Sequence, residues 1–372
     1  MPSAEIADSH PGAGRAFLGR GEMPNGPSCS LLIGGDIAPM RESGKGLLGA
    51  AAPLFKAADV ATANLEHALA RSGKLMKGKP FFHRGHPELA EGLAEAGFDV
   101  LTVANNHMLD WGEESLLETL QVLRKHNLPF TGAGRNLAEA AAPVVIERKG
   151  LKIGVLAYSS TLPMGFPAGE DAAGVNPLRA ATAYRPLPGR DPNEYPGVAP
   201  EIVTWAIPED LERMRDDIWA LKRKADVVLV NMHWGTSMTP RVNGFQREAG
   251  RAAIEAGADA VFGGHQHVLS AIEFHKGKPI LHCTGNLIFD KFEPFFTGET
   301  LKTFLFGATL TKEGVKDPYA VPCKCGVGEP CQVLPPGDSL EGEIVRQLND
   351  LSAPYGVRLE RRGGRVAVLP PA

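Results

Sequence analysis

The chain has 372 residues, of which 43% are hydrophobic and 22% charged, and its 39 basic and 43 acidic residues give a formal net charge of −4. This composition is typical of a globular protein with a large buried core, and it excludes a disordered or fibrous chain. Because residues of both signs are scattered along the chain, the sequence also argues against a general nucleic-acid surface or anionic-membrane surface.

The first 29 residues are rich in Gly, Pro, Ala and Ser and have no periodicity, so we expect a flexible leader outside the fold. No apolar run in the sequence approaches the roughly 20 residues that span a bilayer. The five cysteines are an odd number, which favours reduced thiols over a disulfide framework. The sequence therefore predicts a cytoplasmic protein without a membrane span.

From residue 30 onward, short apolar runs alternate with segments of helical periodicity, and this pattern predicts an α/β fold with helices covering a sheet. Strands are predicted at residues 31–35, 60–64, 100–104, 152–158, 226–232, 260–263 and 279–283. Helices are predicted at residues 87–96, 113–126, 208–224 and 245–256.

Two regions differ from this alternation. Residues 159–206 form a long proline-rich insertion, and a loop of this length in a compact domain is typically a lid or a binding segment. Residues 311–372 are expected to form a C-terminal extension that packs on the domain at 30–310, with a helix near 339–351 and a β-hairpin at 357–369. In this extension Cys323, Cys325 and Cys331 match no standard zinc spacing, so their role stays open.

Polar side chains that can bind metal ions follow five of the predicted strands. In chain order they are Asp36, Glu66, the run Asn105, Asn106 and His107, then His233, and finally His265 with His267. Each group alone has an ordinary structural explanation, such as a turn, a helix cap or a buried histidine. Because ligands bind at the carboxyl ends of strands in α/β sheets, we expect all five groups to meet at one edge.

His265 and His267 are the most specific pair, because side chains spaced i, i+2 on an extended backbone leave the same face toward one ion. Carboxylate, imidazole and carboxamide ligands suit a divalent ion such as Mn²⁺, Zn²⁺, Fe²⁺, Mg²⁺ or Ca²⁺, and they argue against a cysteine-type structural zinc site. A bridging carboxylate would hold two ions about 3.5–4 Å apart, the spacing used in hydrolysis. The sequence thus predicts a catalytic centre with one or two ions.

The order of these motifs resembles that of the bacterial CapA family of capsule and poly-gamma-glutamate synthesis proteins, which share the calcineurin-like metallophosphoesterase fold. The resemblance runs from about residue 30 to 369, and its stretches include Gly35-Asp36, Asn64-Leu65-Glu66, Ala104-Asn105-Asn106-His107, Asp110-Trp111-Gly112, His233-Trp234-Gly235, Gly264-His265-Gln266-His267 and Gly285-Asn286. It implies a four-layer α/β/β/α sandwich with a C-terminal helix and hairpin.

The resemblance also implies roles for individual residues. The metal ligands would be Asp36, Glu66, Asn106 through its carbonyl oxygen, His233, His265 and His267. His107 would lie just beyond them as a general acid or base, and Asp110 would accept its other N–H, although a helix N-cap is the alternative for Asp110. The wider superfamily usually has an Asp-x-His motif at the first site, but here Ile37-Ala38 follow the aspartate, so one histidine ligand is missing.

For function, the resemblance implies hydrolysis or group transfer in capsule or poly-gamma-glutamate-type metabolism, at a phosphoester or peptide-like amide, with a metal-bound hydroxide as nucleophile. The substrate would be a small molecule, a peptide or a polyanionic polymer, and nucleic acid is not expected as a partner. Two alternatives stay open. One is a metal-dependent peptide epimerase like the lasso-peptide epimerases of this fold, with residues 159–206 as a peptide groove. The other is a non-catalytic accessory protein of capsule assembly.

Overall fold

The computed structural model describes residues 26–186, 197–290, 298–362 and 364–371. Residues 1–25 of the predicted leader and residues 187–196 of the proline-rich insertion therefore lie outside the described residues. The leader was expected to extend to residue 29, but Ser28 and Cys29 already begin the first strand, because they pair with Thr311 and Leu310 of a later strand.

The elements of the described residues are numbered in chain order. The strands are β1 (Ser28–Ala38), β2 (Val60–Leu65), β3 (Ala68–Leu69), β4 (Arg84–Gly85), β5 (Val100–Thr102), β6 (Phe130–Thr131), β7 (Ala133–Gly134), β8 (Val144–Arg148), β9 (Leu151–Ser159), β10 (Gly174–Val175), β11 (Ala180–Arg185), β12 (Glu201–Ala206), β13 (Val227–His233), β14 (Ala260–Gly264), β15 (Ile272–His275), β16 (Lys278–Leu281), β17 (Asn286–Phe289), β18 (Lys302–Thr311), β19 (Gly314–Lys324), β20 (Gln332–Val333), β21 (Arg358–Arg362) and β22 (Arg365–Leu369). The α-helices are α1 (Ala52–Ala57), α2 (Leu89–Ala96), α3 (Gly112–Lys125), α4 (Leu137–Ala140), α5 (Pro208–Lys222), α6 (Gly244–Ala256) and α7 (Ser339–Ser352).

Two sheets form the centre of the fold. The ten-stranded sheet has the order β21-β22-β19-β18-β1-β2-β5-β6, with β17 beside β1 and β20 beside β19. The six-stranded sheet has the order β15-β16-β14-β13-β9-β8. Around the middle of each sheet the strands are parallel, since β1, β2 and β5 run in one direction and so do β9, β13 and β14. These parallel strands bring their carboxyl ends to one edge.

The two-residue period of the strands separates the layers. Leu31 and Ile33 of β1 lie in the core between the two sheets, whereas Leu32 lies in the core that contains residues of α1, α2 and α3. In β13, Leu229 faces the core between the sheets and Val230 faces α5 and α6. The layers are therefore helix, sheet, sheet and helix, which confirms the predicted α/β class and its four-layer order.

The predicted helices correspond to α2, α3, α5 and α6, and the predicted C-terminal helix and hairpin correspond to α7 and β21–β22. Two long strands, β18 and β19, have no counterpart in the sequence analysis. Because β18 is buried along almost its whole length, it lacks the alternation of polar and apolar residues that marks a half-exposed strand. Residues 311–372 thus contribute β19, β20, β21 and β22 to the ten-stranded sheet.

The described part of the proline-rich insertion contains regular structure. Strand β10 pairs with β7, and β11 pairs with β12 in a separate two-stranded sheet. The cysteines of the C-terminal region, Cys323, Cys325 and Cys331, are buried free thiols, and the side-chain groups that could hold a metal ion in the described residues do not include them. Among the described helices, none combines the length and the apolar composition that crossing a bilayer requires.

Candidate metal centre

The carboxyl ends of parallel strands from both sheets meet at one place. The proposed ligands lie at or shortly after the ends of β1, β2, β5, β13 and β14, and they are Asp36, Glu66, Asn106, His233, His265 and His267. The backbone N–H of His265 donates a hydrogen bond of 2.8 Å to Asp36 Oδ2, which connects the two sheets directly. The structure therefore brings together the groups that the sequence places at five strand ends.

Glu66 lies at the centre of this arrangement. Glu66, His233 and His265 have ligand atoms within 4.8 Å of one another, and so do Asp36, Glu66 and His267. Glu66 Oε1 is 3.4 Å from His233 Nε2 and 3.7 Å from His267 Nε2. Because one carboxylate is shared by two groups of possible ligands, the geometry suits either one ion or a bridged pair.

The environment of Glu66 lacks the donors that a buried carboxylate needs. Its side chain is fully buried, and neither carboxyl oxygen has a hydrogen-bond partner among the described residues. Burial, followed by the neighbouring Asp36 carboxylate, raises the pKa of Glu66 well above its ordinary value. An ionised carboxylate in such a place is costly unless a cation compensates it. The residues present therefore fit a divalent cation.

Burial favours the neutral, metal-binding form of His233 and His265. Burial lowers the pKa of His233 to about 4 and that of His265 well below its ordinary value. His265 Nδ1 is buried and has no hydrogen-bond partner among the described residues. His267 Nδ1 lies 2.9 Å from the acceptor Asn286 Oδ1, so Nδ1 carries the proton, and Nε2 lies on the side of Glu66, 3.7 Å from its Oε1.

Two asparagines complete the polar network. Asn64 Nδ2 donates to Asp36 Oδ1 at 2.8 Å and lies 3.3 Å from His233 Nδ1. Asn106 Oδ1 lies 2.7 Å from His233 Nε2, so its amide oxygen is turned toward the other proposed ligands. The resemblance implied this oxygen as the ligand atom, and the position of the side chain is compatible with that role.

The backbone at the histidine pair differs from the extended geometry that the sequence analysis expected. His265 has φ 83° and His267 has φ 57°, both in the left-handed region that residues with a Cβ rarely adopt. The side chains therefore converge through a strained turn after β14, and not from one face of a strand. Non-glycine residues held at positive φ are enriched at binding sites, where the surrounding structure compensates the strain.

Gly264 permits the close approach of this turn to β1. A Cβ added at Gly264 would press against Asp36 Oδ1 and lie 2.9 Å from Oδ2. Because the Asp36 carboxylate would have to turn away, we expect G264A to weaken metal binding by about tenfold to a hundredfold. Isothermal titration with Mn²⁺ measures this change. G197A is the control, since a Cβ there meets open space. Equal affinity of G264A and the unaltered chain would contradict the assignment of Asp36.

His107 belongs to a second polar group beside the proposed ligands. Its Nδ1 lies 2.6 Å from Asp110 Oδ2, and the Lys79 ammonium donates to Asp110 Oδ1 and to the Asn106 backbone oxygen. Asp110 Oδ2 also accepts the His83 backbone N–H at 2.7 Å. Helix α3 has Trp111 at its N-cap position without a side-chain hydrogen bond, so the Asp110 side chain contacts His107, Lys79 and His83 and is not the N-cap of the helix.

Burial governs the protonation of this second group. It raises the pKa of Asp110 to about 7 and lowers the pKa values of Lys79 and His107. Lys79 acts in the opposite direction on Asp110, because its ammonium stabilises the carboxylate. The Lys79 ammonium therefore favours the ionised form of Asp110, and this is the form that accepts the hydrogen bond from His107.

A cavity of about 310 Å³ joins the two groups. The apolar lining residues are Pro80, Phe81, Met238 and Phe289. The polar lining residues include members of the proposed ligand set and of the group around His107, and they are Lys79, His83, Asn106, His107, Ser237, His265 and His267. A substrate in this cavity would contact the proposed metal ligands and His107 at the same time.

Sequence reasoning did not assign four residues to the site, namely Asn64, Lys79, His83 and Asn286. Asn64 and Asn286 stand inside motifs that carried the family resemblance, but the spacing of those motifs did not show which side chains they would contact. Lys79 and His83 belong to a segment without periodicity, and their positions depend on hydrogen bonds with Asn106 and Asp110 more than 20 residues further along the chain.

Comparison with known proteins gives the family. A family model described as "Bacterial capsule synthesis protein PGA_cap" matches residues 30–291. The "PGA biosynthesis protein CapA" of Bacillus subtilis is 30% identical over 241 residues, which cover 64% of this chain and 55% of that protein. A "Probable polyglutamine synthesis accessory protein" of Mycobacterium tuberculosis is 30% identical over 243 residues, with coverages of 63% and 56%. The chain thus spans about half the length of these curated relatives.

Similarity to solved structures is weaker. A putative 5'-nucleotidase from Staphylococcus aureus covers 87% of this chain and 58% of its own, with 14% identity and a TM-score of 0.44, a level that adds no argument about function. The family model, in contrast, matches well over half of the chain. The chain therefore belongs to the bacterial capsule synthesis protein family PGA_cap.

Proposed function

We propose that the chain is a metal-dependent enzyme of capsule or polyglutamate-type polymer metabolism. It would cleave a phosphoester or peptide-like amide bond and pass the phosphoryl or acyl group to water, in hydrolysis, or to another acceptor, in transfer. The names of the two relatives, a PGA biosynthesis protein and a probable polyglutamine synthesis accessory protein, support the polymer class. The observation that carries the chemistry is Glu66, a buried carboxylate without donors that is shared by two groups of possible metal ligands.

The proposed roles follow from the contacts. One or two divalent ions would be held by Asp36, Glu66, Asn106, His233, His265 and His267. When bound, a divalent cation supplies positive charge for the oxygen that becomes negative in hydrolysis or transfer. With its Nδ1 bonded to Asp110, His107 takes or gives a proton at Nε2. The apolar walls formed by Phe81, Met238 and Phe289 reduce the access of water to the reacting groups.

Elemental analysis of the purified chain tests this proposal, together with phosphomonoester, phosphodiester and γ-glutamyl peptide assays in added Mn²⁺ or Zn²⁺. One or two bound ions with turnover would support it. Bound ions without hydrolysis, but with exchange of a peptide α-proton for deuterium, would favour the epimerase alternative. A chain that binds no ion would overturn the proposal and favour a non-catalytic accessory role.

The substitution E66Q separates metal binding from stability. Because the folded chain raises the pKa of Glu66 above the ordinary value of 4.5, the metal-free fold loses stability as pH rises above that value. We therefore expect metal-free E66Q to melt at a higher temperature than the metal-free parent at pH 8, and to gain no stability from added Mn²⁺. Thermal unfolding measures both effects.

The exposed substitution E91Q is the matched control, and it should leave both effects unchanged. An E66Q chain that melts below the parent and is still stabilised by Mn²⁺ would show that Glu66 has a structural partner and is not a metal ligand.

A further inference from the structure

A second and larger cavity lies beside the one at the metal centre. Its volume is about 550 Å³, and the two cavities share Pro80 and Phe81 as a common wall. The second cavity is lined further by Arg71, Arg84 and Trp111 and by apolar residues that include Phe82. A ligand that extends past Phe81 would therefore reach from one cavity into the other.

The surroundings of both cavities are cationic. The segment from Arg71 to Arg84 also contains Lys74, Lys77 and Lys79, and it has no aspartate or glutamate. No carboxylate side chain occurs among the described residues that line either cavity. Arg71 is paired with Glu88 and Lys79 with Asp110. Among the described residues no carboxylate lies within ion-pair distance of Lys74, Lys77 or Arg84, so positive charge exceeds negative charge here although the whole chain has a net charge of −4. Such a surface attracts anionic ligands.

Arg84 is the cation best placed to bind a ligand in the second cavity. Its guanidinium carbon lies 3.6 Å from the centroid of the Trp111 ring. Its side chain donates long hydrogen bonds, of 3.4 and 3.3 Å, to the backbone oxygens of Arg71 and Ser72. In the part of the chain that the structure describes, Arg84 has no carboxylate within ion-pair distance.

Other arginines of the chain differ in this respect. Arg41 donates to both oxygens of Asp290, and Arg251 donates to Glu273. The Arg84 guanidinium instead has N–H donors available for a ligand, and the indole ring of Trp111 holds the guanidinium in place. The Trp111 ring in turn packs edge-on against Phe82, with 6.3 Å between the ring centroids. A stacked guanidinium of this kind is preorganised for two parallel hydrogen bonds to an oxyanion.

We propose that the Arg84–Trp111 cavity is a second binding site, which holds a carboxylate of the same anionic chain whose reacting bond lies in the metal-site cavity. This inference rests on the proposed function, from which the carboxylate class of ligand is taken. Arg84 would bind a unit of the polymer remote from the reacting bond and would thereby determine the preference for long substrates.

The test measures the binding of fluorescently labelled glutamate oligomers of two and eight residues to the purified full chain by fluorescence anisotropy, with and without Mn²⁺. We expect R84Q to weaken binding of the eight-residue oligomer about tenfold or more, since it removes hydrogen bonds to a charged group, and to leave the two-residue oligomer unchanged. R84K keeps the charge without the planar fork and should be intermediate. Glutamine oligomers of the same lengths are the neutral probes, and their affinity should be the same for R84Q and the parent.

R223Q is the matched control, because the Arg223 guanidinium also lies over an indole, 4.7 Å from the Trp219 centroid, but lines neither cavity. Equal affinities of R84Q and the parent for the long oligomer would overturn the inference, as would equal losses for both lengths. Displacement of the long oligomer from the parent by inorganic phosphate, but not by acetate, would reassign the cavity to phosphate and also overturn it.

The same samples distinguish this inference from the proposed enzyme. Metal content and metal-induced stabilisation report on the proposed function, and neither requires Arg84. A chain that binds metal but shows no effect of R84Q would contradict the second site alone. A chain that binds no metal, yet loses affinity for the long oligomer in R84Q, would contradict the enzyme and keep the second site.

Discussion

The double substitution H265A/H267A is expected to abolish metal uptake while the chain stays folded. His265 belongs to one group of possible ligands and His267 to the other, so the pair removes one imidazole from each. Two side chains remain in each group, Glu66 with His233 and Asp36 with Glu66, and a single imidazole is left for the whole centre. Two protein ligands per ion are too few for tight binding of a divalent ion. The metal-to-protein ratio from elemental analysis should fall from one or two to near zero.

The control is H275A, since His275 lies on β15 and interacts with Glu255 on α6. Circular dichroism of the double variant establishes that the fold is kept, because alanine at the positive φ of both positions adds some strain. If the folded double variant contains as much metal as the parent, the site lies elsewhere in the chain.

The second large effect is expected at His107 and the two residues that hold it. H107A should lower kcat by about 10²–10⁴ with a smaller change in KM, because it removes proton transfer but not the metal. K79M should lower kcat less, and it should add little to H107A in the double variant, because Lys79 acts through Asp110 on His107. The exposed substitution K224M is the control.

The pH profile separates a positioning lysine from a structural one. Asp110 has a pKa raised to about 7 by burial, so protonation below this pH weakens its hold on His107 and activity should decline there. Removal of the Lys79 ammonium raises this pKa further, and the acidic limb of kcat for K79M should therefore shift to higher pH. A K79M chain with reduced activity but an unshifted limb would show that Lys79 serves the fold alone.

Much of the arrangement could be predicted because the polar residues stand where strands end. Asp36 and His233 lie at the ends of β1 and β13, and Glu66 follows β2. Apolar runs of this kind predict strands, and parallel strands place their carboxyl ends together. The convergence of these side chains therefore follows from the apolar runs along the sequence and from the rule that ligands bind at the carboxyl ends of parallel strands.

The remainder of the site depends on long-range contacts that leave no periodic signal. Lys79 is distant in sequence from Asp110, and the segment between β3 and β4 that carries it has neither helical nor strand periodicity. The bond between His267 and Asn286 depends on the pairing of β17 with β1. The strands β11 and β12 escaped prediction because prolines surround them and their exposure alternates only weakly.

The position of β1 in the large sheet has a consequence for biosynthesis. It is the first strand of the described residues, yet it lies between β2 and β18 and also pairs with β17, so two of its three neighbours are translated long after it. Once His267 has emerged from the ribosome, the nascent chain already contains every proposed ligand. The edge of β1 that carries Asp36 nevertheless stays open until residues 286–311 emerge, so the centre cannot assemble until residues beyond the last proposed ligand have been translated.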